Sequence, residues 1–172
     1  MIYRFKDQSP DIGQDTFIAP DAVVIGRVKI GRRSGVWFGS VIRGDVDRIV
    51  IGEETNIQDL CVVHVDAAAP AVIGNRVTVG HRAILHGCRV EDECVVGMGS
   101  VVQSRARVGS HSIVASGSVV REGFEVPAGT LVAGVPATVK RELTDAEIDY
   151  IGELADIYIG RARLYLDSGQ FT

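Results

Sequence analysis

Three histidines are the residues of this chain whose type and spacing best fit a chemical role. His81 and His86 are five residues apart in the segment VTVGHRAILHGC (77–88), and His64 lies upstream in VVH (62–64). Neutral imidazole nitrogens are common ligands of zinc and other metals. A helix brings together residues four apart, and a strand alternates its side chains between two faces. A spacing of five fits neither element, so the fold has to explain how these histidines could act together.

A repeat of six residues predicts that fold. The repeat restarts after short interruptions, and its twenty positions hold only Val, Ile or Leu: Ile12, Ile18, Val24, Ile30, Val36, Ile42, Ile51, Ile57, Val63, Ile73, Val79, Leu85, Val90, Val96, Val102, Val108, Val114, Val120, Val126 and Val132. In a parallel β-helix each such repeat supplies a short strand and a corner. Three repeats complete a triangular coil, which predicts an all-β solenoid of about six to seven coils. The spacing does not determine the handedness, but the repeat resembles that of known hexapeptide solenoids, which are left-handed, and this resemblance implies a left-handed parallel β-helix.

Two insertions and a different C-terminal segment complete the organisation of the chain. The insertions are GDVDR (44–48) and DAAAP (66–70), and insertions in a solenoid emerge as loops that often line the functional face. Beyond Val132, Thr144 and Glu147 have the spacing of a capping box. An apolar stripe at helical spacing follows: Ile148, Ile151, Ala155, Tyr158, Ala162 and Tyr165. We predict a β-helix domain over 1–140 and, within a tail of 141–172, a helix over about 145–166 that packs on it.

The repeat also places the histidines relative to one another. His64 follows Val63 and His86 follows Leu85, and these two aliphatic positions are three repeats apart. One coil therefore separates the histidines, which stack on the same face at about the 4.8 Å strand spacing. Arg43 falls in the same column, one coil below His64. His81 lies on the preceding face.

Below His81, in the coil before it, the same position holds Asp59, with Gln58 beside it. His81 cannot easily converge with His64 and His86 within one chain, because they lie on different faces. A three-fold axis would place His81 of one subunit against His64 and His86 of the next. We expect a homotrimer with a three-histidine site at each interface, the ligand set of a catalytic zinc. For Arg43 and Asp45, an ordinary ion pair is the alternative to a catalytic role.

Composition excludes several other classes of function. The net charge of −4 and the pI near 5.5 argue against binding to nucleic acid. No apolar run is long enough to cross a bilayer, and the N-terminus lacks the pattern of a signal peptide. The three cysteines are an odd number without metal-binding spacing, which predicts reduced core residues in a cytoplasmic protein.

The segments RGDVDRIVIGEETNIQD (43–59), VVH (62–64) and VTVGHRAILHGC (77–88) with VVGMGS (95–100) strongly resemble the γ-class carbonic anhydrases and their carbonic-anhydrase-like relatives. This resemblance implies a trimer that hydrates CO₂ to bicarbonate. His64, His81 and His86 would bind Zn²⁺, with Fe²⁺ or Co²⁺ as alternatives, and the neighbouring subunit would contribute His81. A water made acidic by the metal would supply hydroxide to attack CO₂.

The resemblance also implies roles for polar residues around the metal. Arg43 and Asp45 would organise the subunit interface. Gln58 would hydrogen-bond the reacting water, and Asp59 would belong to the same polar network.

The sequence departs from the archetypal γ-class pattern in two places. Val46 stands where that enzyme has a glutamate after the Arg-x-Asp motif, and the short segment VDAAAPAV (65–72) replaces a long acidic loop with a proton-shuttling glutamate. These departures put fast proton export in doubt. Some relatives use a tyrosine of the C-terminal helix near the metal instead, and Tyr158 is the candidate here, with helix packing as the alternative.

Three other functions remain open at this point. A metal-dependent acyl-CoA thioesterase would use the same hydroxide, and a larger pocket beside the site would favour it. An acyltransferase of the hexapeptide type needs only one histidine as general base, so the three matched positions count against it. A non-catalytic trimeric scaffold would follow if no metal binds.

Overall fold

The computed structural model describes residues 1–170, in which twenty strands precede one helix. The strands are β1 (Ile2–Tyr3), β2 (Asp11–Ile12), β3 (Phe17–Ile18), β4 (Val23–Ile30), β5 (Gly35–Val36), β6 (Val41–Ile51), β7 (Asn56–Ile57), β8 (Val62–His64), β9 (Ala71–Ile73), β10 (Thr78–Val79), β11 (Ile84–His86), β12 (Arg89–Val90), β13 (Val95–Val96), β14 (Val101–Val102), β15 (Arg107–Val108), β16 (Ile113–Val114), β17 (Val119–Val120), β18 (Glu125–Val126), β19 (Thr130–Gly134) and β20 (Ala137–Glu142). The helix, α1, spans Asp145–Asp167.

These strands form a parallel β-solenoid of about seven turns, as expected for a left-handed β-helix of hexapeptide repeats. One face carries β8, β11, β14 and β17, a second carries β9, β12, β15 and β18, and a third carries β3, β5, β7, β10, β13, β16 and β19. The long strands β4 and β6 turn a corner and join the first two faces into one sheet. The predicted fold is confirmed.

The repeat positions form the core of the solenoid. Every aliphatic residue of the series is buried except Ile12 and Ile18, which lie in the first coil and are half-buried. Because the parallel pairing aligns Val63 with Leu85 and Leu85 with Val102, each buried residue stacks on its equivalent in the next coil. The solenoid is thus a column of aliphatic layers that fixes the height of every surface residue.

Helix α1 packs along the third face, where it contacts β3, β5, β7 and β10. The predicted capping box is present, since the Thr144 hydroxyl accepts from the Glu147 N–H and the Glu147 carboxylate accepts from the Thr144 N–H. Ile151, Ala155 and Ala162 are the buried residues of the predicted stripe. The helix is the one helix of residues 1–170, and despite its 23 residues it is not apolar enough to span a membrane.

Two features differ from the sequence interpretation or extend it. Strand β20 pairs antiparallel with β19, so the sheet continues past the last aliphatic repeat position and ends at Glu142. Strand β1 pairs with β4 ahead of the first repeat. The division into a domain of 1–140 and a tail of 141–172 stays a prediction, and residues 171–172 of that tail lie outside the described residues.

Candidate metal and catalytic site

His64 and His86 lie side by side on the first face, as the repeat predicts. Strands β8 and β11 pair in parallel with His64 opposite His86. Their imidazole rings are 5.0 Å apart between centroids, and Nδ1 of His64 lies 3.1 Å from Nε2 of His86. Arg43 occupies the same column one coil below, because Ile42 pairs with Val63. The predicted stacking of the two histidines is confirmed.

Asp45 comes from the first insertion and links Arg43 to His64. Its carboxylate accepts a hydrogen bond from the Arg43 guanidinium and another, of 3.1 Å, from Nε2 of His64. Burial raises the pKa of Asp45, but the hydrogen bonds from Arg43 and His64 outweigh it and hold the pKa below its ordinary value. A carboxylate can only accept, so the proton of a neutral His64 sits on Nε2 and its Nδ1 faces His86 with a free lone pair.

His86 has a polar partner on its other side that the sequence did not reveal. Its Nδ1 lies 3.0 Å from the hydroxyl oxygen of Ser104, and that hydroxyl donates to Asp66 at 2.7 Å. Asp66 is the first residue of the second insertion, and the hydrogen bond from Ser104 is the main reason why its pKa lies below the ordinary value. Ser104 directly follows Gln103, the residue that lies one coil above His86, but nothing in its type or neighbours marked it for a role.

His81 lies at the end of β10 on the third face. Its Nδ1 lies 2.7 Å from a carboxylate oxygen of Asp59, and its backbone N–H donates to the side-chain carbonyl of Gln58 at 3.2 Å. The Gln58 amide also donates to Asn56 at 3.2 Å, and Asn56 donates to Thr78 at 2.9 Å. Gln58 is buried, with 5% of its surface exposed, so this chain of bonds fixes the orientation of its amide. Sequence reasoning placed Gln58 and Asp59 beside His81 but missed Asn56 and Thr78.

Tyr158 of α1 faces the same part of the molecule as His81. Its ring packs edge-on against Trp37, with 5.5 Å between centroids, and the Arg161 guanidinium lies 4.9 Å from its centre. Burial raises the pKa of Tyr158, so its hydroxyl stays protonated at neutral pH. Tyr158, Gln58 and His81 line a groove of about 390 Å³ whose other walls include Met98 and Ile157.

The residues fit a divalent metal in two respects. Two imidazole nitrogens bound to one tetrahedral zinc lie about 3.3 Å apart, which is close to the 3.1 Å between His64 and His86. The donor set is also chemically right, since neutral imidazole is a preferred zinc ligand. Among the described residues of a single chain, however, no three His, Cys, Asp or Glu side chains come together as a metal site. His81 is held on a different face, as the repeat predicts.

The cysteines take no part in this arrangement. Cys61, Cys88 and Cys94 are free and buried, as the sequence predicts. Burial raises the pKa of each thiol to about 12, so all three thiols are protonated at neutral pH.

Two family models match the chain. The bacterial transferase hexapeptide model (six repeats) covers residues 9–44, and the model of the hexapeptide repeat of succinyl-transferase covers residues 70–104. Both matches agree with the solenoid. Among solved structures, the product of the BC4754 gene of Bacillus cereus is 37% identical, with a TM-score of 0.95 and 96% of each chain covered. A hexapeptide transferase family protein from Anaplasma phagocytophilum is 43% identical, with a TM-score of 0.93 over 96% of this chain and 98% of that one.

Curated relatives narrow the class further. A probable carbonic anhydrase of Methanocaldococcus jannaschii is 49% identical over 86% of this chain and 93% of its own length. A carbonic anhydrase of Geobacillus kaustophilus is 41% identical over 96% of this chain and 91% of its own length. The mitochondrial γ carbonic anhydrase 2 of Arabidopsis thaliana is 46% identical over 92% of this chain, which spans only 59% of that relative. The chain belongs to the γ carbonic anhydrase family of hexapeptide-repeat proteins.

Proposed function

We propose that this protein is a carbonate dehydratase that interconverts CO₂ and bicarbonate at a metal site between the subunits of a homotrimer. His64 and His86 of one subunit and His81 of the next would hold the metal. The observation that carries the proposal is the pair of ring nitrogens, 3.1 Å apart, of which the one on His64 is free of its proton. Relatives named as carbonic anhydrases, 41% and 49% identical over most of the chain, support the reaction.

A bound Zn²⁺, or Fe²⁺ or Co²⁺ in its place, would make a water molecule acidic near neutral pH and so supply the nucleophile. The protein's own residues do the rest. Arg43 holds Asp45, and Asp45 fixes the ring of His64. Asp59 does the same for His81. These carboxylates also strengthen each imidazole as a ligand, because they accept the proton on the distal nitrogen.

Gln58 and Tyr158 are the residues that would face the reactants. The Gln58 amide uses one N–H for Asn56 and one lone pair for the His81 N–H, which leaves one donor and one acceptor for the reacting groups. Tyr158 would donate from a hydroxyl that stays protonated at neutral pH. The proposed setting is the cytoplasm, with CO₂ and bicarbonate as the small-molecule partners and no role for nucleic acid or membrane.

A mixing experiment tests the division of the site between subunits. His81→Ala and His86→Ala are each expected to be inactive in stopped-flow CO₂ hydration and to lose metal. After denaturation and refolding together, each mixed trimer would contain one interface that combines intact His64 and His86 with the neighbour's intact His81. We therefore expect partial recovery of activity and of metal content in the mixture.

The control is each variant refolded alone by the same procedure. Recovery in the mixture but not in the controls supports the shared site. A mixture that is supplied with metal but regains neither metal content nor activity contradicts the shared site. A single variant that stays active on its own also contradicts it.

The groove beside His81 favours a second candidate, a metal-dependent hydrolase of acyl-CoA thioesters. Its walls are largely apolar, and its volume of about 390 Å³ exceeds what CO₂ requires. Thioester hydrolysis measured on the same metal-loaded sample separates the two functions. Metal-loaded wild type that cleaves an acyl-CoA but does not hydrate CO₂ would support the hydrolase. If the wild type binds no metal, the non-catalytic trimeric scaffold is the remaining function.

A further inference from the structure

The hydrogen bonds between Asp66, Ser104 and His86 have a direction that the chemistry of the groups determines. Asp66 is a carboxylate and can only accept, so the hydroxyl of Ser104 gives its single proton to Asp66 at 2.7 Å. That hydroxyl can then only accept in its 3.0 Å contact with Nδ1 of His86. His86 must therefore carry its proton on Nδ1. Its Nε2 is left with a free lone pair.

The other side of His86 makes this tautomer significant. Nε2 of His86 lies 3.1 Å from Nδ1 of His64, and Asp45 leaves that nitrogen without a proton as well. In the neutral tautomers these two acceptors face each other with no hydrogen atom between them. Two opposed lone pairs at this distance are stabilised by a shared electrophile, and a metal ion is one that both could bind.

Ser104 and the second insertion are held in place by the fold. Ser104 is buried, with 7% of its surface exposed. The insertion closes on itself through the N–H of Ala69, which donates to the Asp66 carbonyl at 3.1 Å. Gly87, directly after His86, has a φ of +52°, and a Cβ there would lie 2.9 Å from the Ala69 carbonyl oxygen and 3.2 Å from the Ser104 hydroxyl. The loop thus sits closely over the residue that follows His86.

We propose that Ser104 and Asp66 form a positioning pair that holds His86 in the tautomer able to bind metal through Nε2. The pair does for His86 what Asp45 does for His64, with a hydroxyl inserted between carboxylate and imidazole. This proposal rests on the proposed function for the identity of the site. It adds that the short loop 66–70, which lacks a shuttle glutamate, serves the metal ligand directly.

The test uses the metal-free full-length protein. In Ser104→Ala the His86 proton loses its acceptor. In Asp66→Ala the hydroxyl of Ser104 loses its acceptor and is free to donate to Nδ1 of His86, which would drive the His86 proton to Nε2. We expect the affinity for Zn²⁺ and Co²⁺, measured by titration against a chelator, to fall about 10–100-fold in each variant. Ser104→Thr keeps the hydroxyl and should restore the affinity.

Ser110→Ala is the matched control, because the Ser110 hydroxyl likewise donates to a carboxylate, that of Glu91 at 3.3 Å, away from His64, His81 and His86. Its affinity for metal should equal that of the wild type. Asp66 lies on an exposed loop, so Asp66→Ala still tests the proposal if Ser104→Ala does not fold. The second measurement is the histidine tautomer, from ¹H–¹⁵N spectra of the metal-free protein. Wild-type His86 should carry its proton on Nδ1, and His86 of the Asp66→Ala variant should carry it on Nε2.

The two measurements separate this proposal from the proposed function. If the wild type does not hydrate CO₂ but the variants change the tautomer and weaken metal binding, the positioning pair stands and the reaction is a different one. If the wild type is an active carbonic anhydrase and both variants bind metal as it does, the positioning pair is overturned. A wild-type His86 that carries its proton on Nε2 also overturns it, whether or not metal binds.

Discussion

One column of residues on the first face has a lower and an upper part with the same backbone pairing but different side-chain contacts. Going up the coils, the residue after the buried aliphatic position is Arg43, His64, His86, Gln103 and then Arg121. The backbone pairing is the same throughout. Yet Gln103 and Arg121 are exposed, whereas Arg43, His64 and His86 are half-buried and hydrogen-bonded or ion-paired.

The difference between the two parts lies in the insertions. The lower part is flanked by 44–48 and 66–70, which bring Asp45 to His64 and Asp66, through Ser104, to His86. From Val90 to Val132 the repeat runs in unbroken steps of six, without an insertion. The six-residue repeat therefore sets the spacing of the histidines, while the irregular insertions supply the carboxylates that orient them.

The largest expected effect comes from replacing the column residue in one coil, compared with replacing the equivalent residue in the next coil. His86→Ala should abolish metal binding and CO₂ hydration, a loss greater than the about 10–100-fold expected when only an outer partner is removed. Gln103→Ala, one coil higher in the same column, should leave both unchanged. Metal content and stopped-flow CO₂ hydration on the two purified variants provide the comparison. If His86→Ala and Gln103→Ala had equal effects on metal content and activity, His86 would have no special role in binding the metal.

The register of the histidines could be predicted from the sequence because it follows from the buried series alone. Each aliphatic residue of the series must point inward, so the spacing between Val63 and Leu85 fixes His64 opposite His86 regardless of what surrounds them. The same argument placed Asp59 one coil below His81, and in the structure Nδ1 of His81 lies 2.7 Å from the Asp59 carboxylate. What the period determines, the sequence predicts well.

Contacts made by irregular segments could not be predicted in this way. The period does not determine the conformation of 66–70. The contact between Asp66 and Ser104, which are 38 residues apart in the sequence, was therefore not foreseen. Strand β20 was missed for a related reason. It pairs antiparallel with β19 after the aliphatic series has ended, and its residues are mostly exposed.

A second comparison concerns two glycines with similar backbone conformations. Gly87 and Gly99 have φ values of +52° and +67°, but a Cβ at Gly87 would meet the insertion, whereas at Gly99 it would meet nothing within 4 Å. Gly99→Ala should cost about 1 kcal/mol for the strained backbone. Gly87→Ala should cost about 2–3 kcal/mol, because the loop must also move. Denaturant unfolding of both variants measures the difference, and equal costs would show that the loop is not held against Gly87.

Two arginines allow a smaller comparison on the helix. Arg76 extends from the solenoid to α1, where it donates to Asp156 at 2.9 Å and to the Gly152 carbonyl at 3.2 Å. Within residues 1–170, the ion-pair partner of Arg163 is Asp167 of the helix itself, at 3.7 Å. We expect Arg76→Ala to lower the free energy of unfolding by about 1–2 kcal/mol and Arg163→Ala by less than about 0.5 kcal/mol. If Arg76→Ala is as mild as Arg163→Ala, packing alone holds the helix on the third face.

The smallest expected effect is a pH-dependent one at the start of α1. Hydrogen bonds from Arg141 and from the Thr144 N–H lower the pKa of Glu147 to about 2, against an ordinary value of 4.5. A carboxylate whose pKa is lower in the folded state stabilises it above the unfolded pKa and ceases to do so as the pH falls through the folded one. Wild type should therefore melt at a higher temperature than Glu147→Gln above about pH 5, and the difference should shrink as the pH falls from 4.5 towards 2. Glu153→Gln, at an exposed position of the same helix, is the control, and a gap between wild type and Glu147→Gln that does not change with pH would show that the capping carboxylate is not what stabilises this end of the helix.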